Sequence, residues 1–206
     1  MLLFDDSTPI SIIKNDGVAN YHPYVFNELI SNNYFKQLKK DIAWQRDELM
    51  MFGKTIITDR KVAWYGIETF EYTYSKKTKK ALLFTPLLTE LNTIVEKVTG
   101  EKYNSCLLNY YHNGNEGMGW HADNEKELVK HSSIASLSFG AERRFIFKNK
   151  TTNEKVEVLL ESGSLINMYG EIQDNWLHSL PKTKKIMQPR INPVSYTHLT
   201  LPTTPY

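Results

Sequence analysis

The stretch from Leu107 to Asp123 constrains this chain most. An apolar pair, Leu107-Leu108, leads through Asn109-Tyr110-Tyr111 into a turn carrying Gly114, Gly117 and Gly119, and the turn leaves on His121-Ala122-Asp123. In an extended segment, side chains two residues apart share a face. His121 and Asp123 can therefore converge on one point, offering an imidazole nitrogen and a carboxylate to a divalent metal. Alone, a His-x-Asp pair fits an exposed turn equally well, because short motifs match by chance.

A second imidazole would complete the two-histidine, one-carboxylate set that holds non-haem Fe(II). His178 is the natural choice, beside Trp176 and Leu177 and ahead of Pro181. His22, His112, His131 and His198 are also available, and spacing does not choose among them.

The chain has 206 residues, enough for one domain with a sizeable core. Its net charge of +2 is too small to name a partner. Lys76, Lys77, Lys79 and Lys80 form one cluster and Lys182, Lys184 and Lys185 another, each read first as a solvated face. The single cysteine, Cys106, excludes an internal disulfide, suits a reducing cytoplasm, and lies in an apolar run as a small buried side chain. The N-terminus turns acidic at Asp5-Asp6, unlike a signal peptide. The longest apolar run, Ala81 to Leu88, is broken by Thr85 and Pro86 and is too short to span a membrane. A soluble protein with no membrane partner is expected.

Along the chain, residues 9–26 read as strands and 27–44 as a helix with Leu29, Ile30, Tyr34, Leu38, Ile42 and Ala43 at three-to-four spacing. Met50-Met51-Phe52-Gly53 fits a strand end folded into the core better than an apolar wedge at a loop tip. Residues 60–66 and 70–74 read as two short strands about a turn at Gly66. Tyr72 and Tyr74 share a strand face, which suits packing or a platform for stacked bases. Pro86 to Val98 is an amphipathic helix, with proline near its start and Gly100 past its end. Strands are expected at 134–140, 144–147, 156–160, 164–168 and from Arg190. Many short strands after a helical half, with no repeated βαβ rhythm, predict an α+β fold with a β-sandwich or jelly-roll core.

Asn109-x-Tyr111, His121-x-Asp123, residues 134–140, Trp176-x-His178-Ser179-Leu180-Pro181 and Pro189-Arg190-Ile191-Asn192 together resemble the AlkB family of Fe(II)- and 2-oxoglutarate-dependent nucleic-acid demethylases. The resemblance covers residues 45–192 and is closest to the members that repair double-stranded DNA. It implies a double-stranded β-helix with flanking N-terminal helices and a nucleotide-recognition lid. It assigns Fe(II) to His121, Asp123 and His178, and 2-oxoglutarate to Asn109, Tyr111, Arg190 and Asn192. With dioxygen as the other co-substrate, the implied reaction decarboxylates 2-oxoglutarate to succinate and hydroxylates an N-methyl group, which leaves as formaldehyde. The implied partner is alkylated DNA, duplex before single strand or RNA, met by a monomer in the cytoplasm, at the nucleoid of a bacterium or in a nucleus.

By the same resemblance, Phe52-Gly53-Lys54 is a hairpin that enters the duplex when a base is flipped out, which reverses the core reading of Phe52. Arg60 reaches DNA near the gap. Tyr72 and Tyr74 line the base pocket, with Tyr74 stacking opposite His121. A base methylated at adenine N1 or cytosine N3 is cationic, and aromatic faces favour it over the neutral base by about 0.5–2 kcal/mol. The implied domain runs 1–192, with lid and backing helix in 45–110 and the iron and 2-oxoglutarate core in 107–192.

The chain departs from the family twice. Relatives often carry a carboxylate after the metal-binding aspartate, where this chain has Asn124 and then Glu125. The family also has a second arginine six residues beyond Arg190. Here Pro193 interrupts the last strand and position 196 is Tyr196. Residues 193–206 resemble one reading frame of a sequencing-transposon end, so they are expected to replace the true C-terminus, to lie outside the fold, and to leave His198 without a role. The competing readings are the same chemistry on RNA or protein, and a nucleic-acid-binding module inactivated at its C-terminus.

Overall fold

The computed structural model describes residues 8–51, 54–74 and 77–199; of residues 48–51, 54–56, 71–74 and 77–79 it describes the backbone alone. In chain order the elements are β1 (Ile10–Ile13), β2 (Val18–His22), α1 (Glu28–Asp41), β3 (Gln45–Met51), β4 (Lys54–Gly66), β5 (Glu71–Tyr74), β6 (Lys77–Lys80), β7 (Leu82–Leu83), α2 (Pro86–Thr99) and β8 (Ser105–Tyr111). There follow β9 (Met118–His121), β10 (Ile134–Leu137), β11 (Phe139–Gly140), β12 (Arg143–Asn149), β13 (Lys155–Leu160), β14 (Leu165–Tyr169), α3 (Ile172–Asn175), β15 (Trp176–Leu180) and β16 (Arg190–Tyr196).

Both long helices start and stop where side chains make them. The Asn27 Oδ1 accepts from the Ile30 N–H at 3.0 Å to begin α1. Thr85 caps α2 through Leu88 N–H, Pro86 occupies the first turn, and Gly100 ends the helix in the left-handed region at φ 76°. The apolar stripe of α2 buries Leu88, Leu91, Ile94 and Val95. Each such side chain contributes roughly 1.5–3 kcal/mol, well above the fractions of a kilocalorie by which helix propensities differ. Packing, not propensity, holds α2.

The larger sheet runs β1-β2-β14-β10-β16-β8-β4-β3, with β11 beside β16 and β7 beside β4; the smaller runs β13-β12-β15-β9. One core cluster sets the helices' Tyr34, Leu38, Leu88 and Leu91 against Leu108, Leu137, Phe139 and Ile191 of the larger sheet. The other joins Tyr111, Ile166, Val194 and Tyr196 of that sheet to Phe147, Leu160, Trp176 and Leu180 of the smaller one. The layers are helices, large sheet, small sheet: the jelly-roll sandwich expected, with helices on one side. The pleat of β8 sends Leu108 and Tyr110 to the helices and Tyr111 to the inter-sheet space.

Several expectations change. Leu29 is 75% exposed and Ala43 lies exposed beyond the helix, because α1 buries the face of Ser31, Tyr34 and Leu38 instead. The strand through 60–66 begins at Lys54 and pairs with β3, while β5 pairs with β6 and not with β4. A single helical turn, α3, precedes β15. Residues 193–199 do not lie outside the fold. β16 continues through Pro193 to Tyr196, pairing with β8 along its whole length. Proline is tolerated mid-sheet because the other neighbour is broken there: β10 pairs as far as Ser136↔Val194, and β11 resumes at Phe139↔Ile191. His198 packs within the fold as well, its Nδ1 lying 2.6 Å from Ser105 Oγ and its ring near Trp64 and Phe70.

Candidate metal centre

β9 and β15 pair so that His121 stands directly opposite His178, and the ring centroids are 4.2 Å apart. Asp123 follows two residues beyond His121, its Oδ1 3.6 Å from His121 Nε2 and its Oδ2 3.7 Å from His178 Nε2. These separations are too long for hydrogen bonds. One ligand atom from each of the three lies within 4.8 Å of the others, the only such group of three or more among the described residues. Two turn glycines let β9 close on β15. A Cβ at Gly117 would stand 2.4 Å from the Leu180 carbonyl oxygen, and one at Gly114 would stand 2.2 Å from that of Thr183.

The donors are in the state a metal needs. His178 is 5% exposed, beside Phe145 and Phe147. Burial, chiefly, pushes its imidazole down to about 4, with the Asp123 charge pulling up and His121 pushing further down. It is neutral at pH 7. His121 Nδ1 lies 2.9 Å from the Gly119 carbonyl, which can only accept, so Nδ1 carries a proton and Nε2 is the atom turned toward Asp123. The Asp123 N–H donates to Gln173 Oε1 at 2.9 Å, and Tyr196 Oη donates to Asp123 Oδ2 at 3.3 Å. Two imidazoles and one carboxylate, unbonded to one another and braced from behind, fit Fe(II).

On the larger sheet, Arg190 pairs with Tyr111 and Asn192 with Asn109, all facing the smaller sheet. Arg190 is 1% exposed and donates from Nη2 to Ser138 Oγ at 3.0 Å; its Nε and Nη1 have no partner. Burial, chiefly, and the like charge of Arg143 lower it to about 10, against the pull of Tyr111. Its guanidinium carbon lies 5.7 Å from the centre of the Tyr111 ring. Asn192 is held by Ser136 Oγ and the Leu137 carbonyl.

Among the lid residues, Arg60 is placed otherwise than expected. Its guanidinium is buried, ion-paired to Asp47, against Met118 Sδ and over the Tyr111 ring at 5.9 Å. A neighbouring carboxylate offers a buried cation more than an outward reach would. Phe52 and Gly53 lie outside the described residues, as do the side chains of Tyr72 and Tyr74. Asn124 and Glu125 are exposed and line, with Asp123 and Gln173, a cleft of about 340 Å³.

Sequence reasoning missed Asp47, Arg143, Gln173 and the Tyr196 phenol. Only Arg143 left a signal: of the adjacent Arg143 and Arg144, strand alternation must bury one. The structure buries Arg143 and leaves Arg144 outside, paired to Glu157.

The model of the 2OG-Fe(II) oxygenase superfamily matches residues 18–199. The chain is 34% identical over 191 residues to the human DNA oxidative demethylase ALKBH2, covering 87% of this chain and 73% of that one. It is 36% identical over 172 residues to the bovine alpha-ketoglutarate-dependent dioxygenase alkB homolog 3, covering 79% and 59%. The solved structure of OsALKBH1 superposes with a TM-score of 0.61 at 15% identity, over 90% of this chain and 98% of that one, a likeness of fold. This chain therefore belongs to the 2OG-Fe(II) oxygenase superfamily, in its AlkB family, and is an Fe(II)- and 2-oxoglutarate-dependent dioxygenase.

Proposed function

We propose that the protein is a DNA repair demethylase that removes N-methyl groups from 1-methyladenine and 3-methylcytosine, in duplex before single-stranded DNA, acting as a monomer. One observation carries the reading: His121, Asp123 and His178 converge at one end of an inter-sheet space whose other end holds Arg190 with unmet N–H donors. Relatives named as DNA oxidative demethylases supply the substrate class.

When bound, iron with 2-oxoglutarate and dioxygen supplies the oxidising power that hydroxylates the methyl carbon, after which formaldehyde leaves. The chain's own residues bind and orient. His121, Asp123 and His178 hold the metal, and His178, already neutral, gives up no proton to do so. Arg190 takes the distal carboxylate of 2-oxoglutarate through Nε–H and Nη1–H, and burial excludes competing water. Asn109 and Tyr111 flank the same molecule. Tyr72 and Tyr74 face the flipped base, Phe52 with Gly53 fills the gap it leaves, and Asn124 accepts from an exocyclic amine. Arg60, fixed by Asp47, sets the floor under Tyr111.

The test is formaldehyde release from 1-methyladenine in duplex DNA, single-stranded DNA and RNA, with Fe(II) and 2-oxoglutarate present. Turnover greatest on duplex is expected. Uncoupled conversion of 2-oxoglutarate to succinate with no formaldehyde from any of the three would show that the substrate lies elsewhere.

A further inference from the structure

Three guanidiniums surround one ring. The carbons of Arg60, Arg143 and Arg190 lie 5.9, 5.9 and 5.7 Å from the centre of Tyr111. Arg60 has Asp47. Arg143 and Arg190 are each 1% exposed, and among the described residues no carboxylate forms an ion pair with either. Glu116 is the nearest acidic influence on Arg143, but its carboxylate is held by His112 at 2.9 Å. A buried cation without a counter-charge is strongly unfavourable, and here two stand beside one ring.

Arg143 is also aimed. Its Nη2 donates to the Glu116 and Pro181 carbonyls at 2.8 Å each, and Nη1 reaches the Asn113 carbonyl at 3.5 Å. Those bonds tie the glycine-rich turn to the end of β15 and fix the plane of the guanidinium. The Nε–H is left buried and unpartnered. The three unmet donors, Arg143 Nε, Arg190 Nε and Arg190 Nη1, belong to strands of opposite sheets, β12 and β16, with Tyr111 beside both.

We propose that Arg143 is a second cationic contact to the distal carboxylate of the co-substrate, so that the carboxylate is gripped from both sheets. This rests on the reading of the chain as a 2-oxoglutarate enzyme.

The test compares 2-oxoglutarate with 2-oxopentanoate, which has the same chain length and no distal carboxylate. Binding of each to the full chain loaded with Mn(II) is measured by calorimetry, for the parent, Arg143→Gln and Arg143→Lys. The parent is expected to prefer 2-oxoglutarate strongly. In Arg143→Gln that preference should shrink about 10- to 100-fold, the worth of one hydrogen bond between charged groups, and in Arg143→Lys by less. A merely structural clamp would weaken both ligands equally and leave the ratio untouched, which overturns the proposal. If Arg143→Gln does not fold, the ratio in Arg143→Lys decides: unchanged overturns it, reduced upholds it. A parent that shows no preference sinks the co-substrate reading beneath it, whereas a parental preference that both variants keep sinks only the role of Arg143.

Discussion

At the β9–β15 end of the site, three donors lie side by side with no hydrogen bond among them, while about Tyr111 the guanidiniums of Arg143 and Arg190, from opposite sheets, are buried with N–H groups unmet. The two ends differ in what burial costs them. A neutral imidazole is buried at modest expense, and His178 is neutral because its pKa is lowered to about 4. An arginine cannot shed its charge at neutral pH, so Arg143 and Arg190 carry theirs into the interior, at an effective penalty of several kcal/mol per ion. The metal end is assembled in advance, whereas the carboxylate end stays unbalanced until an anion arrives. Co-substrate binding is thereby tied to stability more tightly than metal binding is.

The strongest way to break this contrast is His178→Ala. Turnover should fall by about three orders of magnitude or more as the ligand set loses a member, with duplex affinity little changed. Succinate release and DNA titration read the two, and equal loss of both would make His178 structural. The metal-free parent adds a pH signature. An unfolded histidine titrates near 6.5, so below that pH the unfolded chain takes up a proton that folded His178 refuses. Stability is therefore lost as pH falls from about 6.5 to about 4, and His178→Ala should flatten that decline in denaturant titrations.

Next in size is Arg190→Met. Affinity for 2-oxoglutarate should drop about 100-fold, yet the ligand-free protein should become more stable, by about 1–4 kcal/mol, because a buried charge gives way to an apolar side chain. Loss of stability in the ligand-free variant would mean that Arg190 is already satisfied, and the contrast between the two ends would dissolve.

Tyr196→Phe removes one phenol from Asp123, and metal affinity should weaken about 10-fold, as for other groups that orient a ligand from behind. Equilibrium dialysis against Fe(II) or Mn(II) measures it; no change would leave Tyr196 a packing residue. The smallest effect belongs to neither end. Cys106 lies on the helix-facing side of β8, and burial pushes its thiol up to about 12. Cys106→Ala should alter neither metal nor co-substrate affinity, and the native thiol should react with disulfide reagents far more slowly than the unfolded one. Rapid native labelling would contradict that burial.

What could be read in the sequence follows from periodicity and from motifs that are local in the chain. The proline and glycine that bound α2, its apolar stripe, and the His121–Asp123 pair are all set within a few residues. The facial set needed more, since His178 is chosen by a cross-strand register that no spacing reveals. Arg60 was misjudged for the same reason: its counter-ion, Asp47, sits on the neighbouring strand. Pro193 misled because a proline mid-strand ordinarily marks a break. The break here is in the neighbour, between β10 and β11, and only the assembled sheet shows it.

β9 is an outer strand of the smaller sheet, paired among the described residues with β15 alone, whereas β15 lies within the sheet. One imidazole therefore rides on a strand that can peel away and the other on a strand that cannot. Departure of the metal should begin with β9 lifting at His121, its escape rate set by fraying of that edge rather than by rupture of the buried bond to His178. The glycines at 114 and 117, which let β9 settle on β15, then govern how often the ion gets loose as well as where it sits.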